Sequence, residues 1–143
     1  VGLLTDVLIA DAAEAKLICE IWPRERRWPA IETKGLDNSK FAALAAAWGD
    51  HELSDTLESG GYIAATRSDE GPWVFVFPDS FRDRIAAIEP ARIPEIAKAW
   101  SGQRELELDG WKADDLDGPL LQLREFAARA VKQGKSLLLW MSL

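Results

Sequence analysis

A chain of 143 residues, 48% hydrophobic and 29% charged, has the length of one domain and enough apolar material for a core that needs no staples. Its formal charge of -7 argues against nucleic acid and anionic membrane as partners, since both are bound by neutralising negative charge with Lys and Arg; the same field would steer in a basic protein. The single cysteine, Cys19, excludes an intrachain disulfide and a cysteine-based metal cage, and fits a reducing cytoplasm.

Leu3 to Ala10 is rich in Leu, Val and Ile and reads as a strand covered on both faces. The start has no basic stretch and carries Asp6 among its apolar residues, so it does not read as a secretory signal. Asp11 with Glu14 is a capping-box pair, which predicts a helix from Ala12 to Ile21 that buries Leu17, Ile18 and Ile21 and stops at Pro23. Trp22 to Pro29, WPRERRWP, is bracketed by prolines and reads as an exposed loop, followed by a short extended piece from Ile31 to Thr33.

Asp37-Asn38-Ser39 offers a cap for an Ala-rich helix from Phe41 to Trp48, closed by Gly49. Asp50 to Ser59 is acidic and is expected to hold at most one helical turn. Tyr62 to Thr66 and Trp73 to Phe77 are β-prone runs joined by a turn-rich stretch, a hairpin pattern. Asp79 or Ser80 then caps a helix carrying Phe81, Ile85 and Ile88, and Pro94 suits the first turn of a helix ending near Trp100.

Glu105 to Leu108 alternates charged and apolar, the pattern of a short edge strand. Leu120, Leu123, Ala127, Ala130 and Val131 recur at helical spacing before Gly134, with Gly118-Pro119 either beginning that helix or breaking a turn begun near Ala113. The run Ser136 to Leu143, SLLLWMSL, reads as a central strand. Together these elements predict a single α+β domain over 1–143. Its mainly antiparallel sheet holds the N-terminal strand, the central hairpin and the C-terminal strand, with helices packed on one face.

Trp111, the helix containing Leu123 and Ala127 to Ala130, and the closing GKSLLLWMSL (Gly134 to Leu143) resemble small uncharacterised bacterial domain proteins that end in a helix followed by such a strand. The resemblance covers about the last 35 residues, departs from the pattern at Lys112 and Gly118-Pro119, and carries no activity with it.

Motifs of known chemistry are incomplete. His51-Glu52-Leu53-Ser54-Asp55 has the outline of a zinc-binding H-E-x-x-H helix with Asp55 at the second ligand position. His51 is the only histidine, however, and a solvated acidic stretch explains Asp50, His51, Glu52 and Asp55 as well. Gly134-Lys135-Ser136 looks like the tail of a phosphate loop, but it sits between a helix and a strand in the wrong order. Cys19 lies among apolar helix positions and reads as a core thiol. No catalytic residue, metal ligand or cofactor site is assigned.

Trp22, Arg24, Arg26, Arg27 and Trp28 are of the types enriched at interface hot spots; the plainer explanation is that the indoles tuck beneath the domain. Two functions fit: a small acidic interaction module, of inhibitor or immunity type, that binds a basic protein through this loop, and a small metal-dependent or acid/base hydrolase using His51 and its neighbouring carboxylates.

Overall fold

The computed structural model describes residues 3–59 and 63–143. Strands β1 (Leu4–Ala10), β2 (Ala30–Glu32), β3 (Ile63–Thr66), β4 (Trp73–Val76) and β5 (Ser136–Ser142) form one antiparallel sheet in the order β2-β1-β5-β4-β3. The two most apolar runs of the sequence therefore lie side by side at the centre, in register from Leu4↔Ser142 to Ala10↔Ser136. Central strands are covered on both faces, which is why neither run alternates with polar residues.

The sheet divides the core in two. On one face Val7, Ile9, Phe75, Phe77, Leu137, Leu139 and Met141 meet the helices α2 (Asn38–Ala47), α3 (His51–Glu58), α4 (Asp79–Ala86), α5 (Ile93–Ser101), α6 (Arg104–Leu108) and α7 (Ala113–Gln133). Trp100 is fully buried at the middle of this cluster, its indole N–H donating to the Lys40 carbonyl at 2.8 Å. Phe41, Phe77 and Phe81 pack edge to face beside it, with centroids 5.0–6.4 Å apart, an arrangement that suits the aromatic quadrupole. On the other face Leu8, Ala10, Val74, Leu138 and Trp140 meet α1 (Ala15–Ile21) and Trp22. The α+β antiparallel architecture is as the sequence predicts; the helices, expected on one face, leave α1 alone on the other.

Local differences have local reasons. The first helix opens as a 3-10 turn (Ala12–Glu14) before α1, and its inward stripe is Ala15, Ile18, Cys19 and Trp22, spaced at i, i+3, i+4 and i+7. Leu17 falls off that stripe and is 37% exposed. Asp50 to Ser59 holds two helical turns rather than one: the Asp50 carboxylate caps α3 by accepting from the Leu53 N–H at 3.2 Å. Leu53 and Leu57, four residues apart, face the core.

Glu105 to Leu108 is α6 and not an edge strand. Leu106 is buried while Leu108 is 73% exposed, because a helix sends residues two apart to different sides. Helix α7 begins at Ala113 and runs through Gly118-Pro119; its Val131 is exposed at 42%. It ends at Gly134, whose φ of +67° is the left-handed cap. Helix α4 ends at Ala86 and takes Pro78, not Asp79 or Ser80, as its cap, with Ile88 buried in the following turn. Tyr62, the expected first residue of the hairpin, lies outside the described residues.

Candidate functional site

The loop between α1 and β2 sorts its side chains by chemistry. Trp22 is buried (4% exposed) and Trp28 half-buried, whereas Pro23 to Arg27 are exposed. The expected exposed loop is thus exposed along its middle, while its two indoles turn inward. Each indole N–H finds a carboxylate beneath it. Trp22 Nε1 donates to Asp6 Oδ2 at 2.8 Å, and Trp28 Nε1 donates to Glu14 Oε2 at 3.1 Å. The second oxygen of Glu14 accepts from the Asp11 N–H at 3.0 Å, so this one side chain ties the start of the helix to the end of the loop. The indole rings lie 6.5 Å apart, inclined at 58°.

The arginines point outward. The Arg26 guanidinium lies 4.8 Å from the centroid of the Trp22 ring, a cation–π contact. Arg24 donates to the Glu20 carbonyl at 2.6 Å, satisfying one of the bare acceptors at the end of α1. Arg27 pairs with Glu25 at 2.6 Å, both about half exposed, an arrangement that contributes little to stability.

Below the loop a groove of about 240 Å³ opens at the end of the sheet. Leu4, Asp6 and Trp140 form its floor, Pro23 and Arg26 one wall, and Glu32 and Lys34 the other. The strand register explains the charge on that floor. The Thr33 N–H donates to the Thr5 carbonyl and the Ile9 N–H to the Pro29 carbonyl. Alternation then makes Asp6↔Glu32 a non-hydrogen-bonded pair, the kind whose side chains approach most closely. Burial pushes the Asp6 carboxyl above its usual range; the Trp22 N–H opposes this, the Glu32 carboxylate adds to it, and the Arg26 cation opposes it weakly. Beside Asp6 on β5, the buried Trp140 Nε1 has no acceptor among the described residues.

The other sequence candidates do not converge. Asp50 is engaged as the α3 cap, and His51, Glu52 and Asp55 are exposed along the first turns of that helix. Among the described residues no group of three His, Cys, Asp or Glu side chains is placed to hold a metal ion. Cys19 is buried, its thiol donating towards the Pro72 carbonyl at 3.6 Å, and burial pushes its pKa up, the reverse of what a nucleophilic thiolate requires. Lys135 is engaged by Asp11 at 2.8 Å, and that carboxylate raises its pKa.

Asp6 and Glu14, noted from sequence only as a charge in an apolar strand and as a helix cap, complete the site together with Glu32, Lys34 and Trp140, to which no sequence motif points. One signal was present: a charged residue inside an otherwise apolar strand, Asp6, demands a partner. Among the described residues no helix is long and apolar enough to cross a membrane.

No protein-family model and no curated protein matches this chain. Among solved structures it is similar to YfbM from Escherichia coli, a protein of unknown function, at 11% identity and a TM-score of 0.48, over 96% of this chain and 99% of that one.

Proposed function

We propose that this chain is a small acidic protein-interaction module that binds a basic partner, with the Trp22–Pro29 loop at the contact. The observation that carries this reading is the loop's division of labour. Two indole–carboxylate hydrogen bonds anchor it from beneath, while five consecutive residues, Pro23 to Arg27, stand in solvent. A loop already ordered in the free protein loses little entropy on docking. Arg24, Arg26 and Arg27 form a basic island on a chain of net charge -7. The acidic surround would accelerate approach of a basic protein, and the island would select the orientation in which the partner's own acidic group meets it. The free, buried Cys19 suits a reducing cytoplasm.

The test is affinity capture from native lysate with the wild-type chain and with an Arg24→Ala/Arg26→Ala/Arg27→Ala variant, with thermal melting of both. These side chains are exposed, so the variant should melt close to the parent. A basic protein held by the wild type and lost from the variant is the expected result. Equal retention by both would remove the loop from the contact, and no specific partner at all would defeat the reading.

A further inference from the structure

We propose that the open edge of β2 receives an extended segment of the partner as an added strand, with apolar residues on one face of that segment and basic residues on the other. This rests on the interaction-module reading and specifies its surface. Residues 29, 31 and 33 turn their backbone groups towards β1, as the Pro29 and Thr33 bonds require. The N–H and C=O groups of Ala30 and Glu32 therefore point away from the sheet, at an edge with no further strand among the described residues. Such groups are a template for pairing. At the opposite edge, β3 carries a register shift between Ile63 and Ala65 and has α1 packed against it, which makes it a poorer template.

The surroundings of β2 set the composition of the incoming strand. Beside it, between β2 and the first half of α7, lies a groove of about 390 Å³ whose lining is mostly apolar, with Ile31, Trp111, Pro119 and Leu123 alongside the polar Asp115 and Gln122. Side chains on that face of an added strand would bury there, so they should be apolar. On the other face Glu32 stands next to Asp6, two carboxylates side by side in register. Like charges placed directly opposite are unfavourable, and a cation laid alongside relieves them. Basic residues therefore belong on that face, in keeping with the net charge of -7. Lys34, beyond the end of β2 and lining both grooves, marks where the basic residues must stop.

The probe is a synthetic peptide of alternating Val and Lys, about ten residues long so that it exceeds an ordinary strand, with alternating Val and Glu as its control. Hydrogen exchange at the Ala30 and Glu32 amides, read by NMR, should slow by about tenfold or more with the Val/Lys peptide and remain unchanged with the Val/Glu peptide. Ala30→Pro removes an outward N–H without touching the ladder to β1, and proline is tolerated on an edge strand. It should weaken the Val/Lys peptide by about tenfold. A peptide methylated on alternate backbone nitrogens makes the same test on the wild-type protein should the proline variant not fold. Unchanged exchange at Ala30 and Glu32 under excess Val/Lys peptide would overturn strand addition. A captured native partner that depends on the arginines but is indifferent to Ala30→Pro would overturn strand addition and leave the interaction module standing.

Discussion

Trp22→Phe isolates what holds the loop. The ring of Trp22 is 4% exposed, so the smaller phenyl leaves a void on the order of 40 Å³, which at ~24 cal/mol per Å³ costs about 1 kcal/mol. The larger loss is the 2.8 Å hydrogen bond to Asp6, a bond to a charged group of the kind that contributes about 1.5–3 kcal/mol. The substitution should therefore destabilise the protein by about 2.5–4 kcal/mol at neutral pH, the sum of those two contributions. In an Asp6→Asn background the acceptor is a neutral amide oxygen, and the same bond contributes only about 0.5–1.5 kcal/mol. The cost of Trp22→Phe should fall there by about 1 kcal/mol, a coupling measurable by urea unfolding of the four proteins at constant m-value. A Trp22→Phe cost that is the same in both backgrounds would show that packing alone seats the indole, and the account of the loop's anchoring would be wrong.

The raised pKa of Asp6 gives a signed pH dependence. Its stabilising contribution is full below the unfolded value of about 3.9 and is lost as pH rises through the higher folded value. Asp6→Asn should accordingly gain on the wild type in urea midpoint as pH rises from about 4 towards neutrality, and a difference flat with pH would contradict the shift. Lys40 is 6% exposed and pairs with Asp109 at 2.6 Å and Asp37 at 3.8 Å. Asp109→Asn should cost about 1–2 kcal/mol by chemical denaturation, less than a fully buried pair because Asp109 is more than half exposed. Pro119 cannot donate to the Asp115 carbonyl from inside α7, so Pro119→Ala should stabilise by about 1–2 kcal/mol, within the ~3 kcal/mol helix penalty of proline; a lower melting temperature would show that the ring's packing outweighs the missing bond. Deleting residues 139–143 strips β1 and β4 of ladder partners and removes the buried Leu139, Trp140 and Met141. The truncated chain should show no cooperative melt by calorimetry.

What the sequence discloses about this fold depends on how local the signal is. The run Leu137 to Met141 announces a central strand by itself, since five consecutive buried residues fit few other places. Asp37 before an Ala-rich stretch announces α2, and the cap bond to the Lys40 N–H at 3.0 Å is present. Glu105 to Leu108 deceives because alternation over four residues is too short to separate a strand from one helical turn; burial of Leu106 against the helical core decides it. The polar character of His51 to Glu58 hid the Leu53–Leu57 spacing that makes α3 a helix. The site was legible only in its outward half. Arg24, Arg26 and Arg27 are recognisable by type, but the acceptors for Trp22 and Trp28 lie 16 and 14 residues away on elements whose relative placement no periodicity encodes.

The pairing of β1 with β5 has a consequence during synthesis. Residues 4–10 leave the ribosome long before their partner on one side, residues 136–142. Until β5 emerges, β1 has β2 alone as a neighbour among the described strands, and β4 also waits for β5. The sheet cannot be completed from β1 onwards, so the nascent chain carries this apolar strand unfinished until residues 136–142 emerge. That is the condition under which a strand edge recruits the wrong neighbour, and closing so long a loop makes the final pairing slow. Expression of this protein should therefore respond to chaperone supply, and to translation speed across the codons of residues 136–142, more than its folded stability alone would indicate.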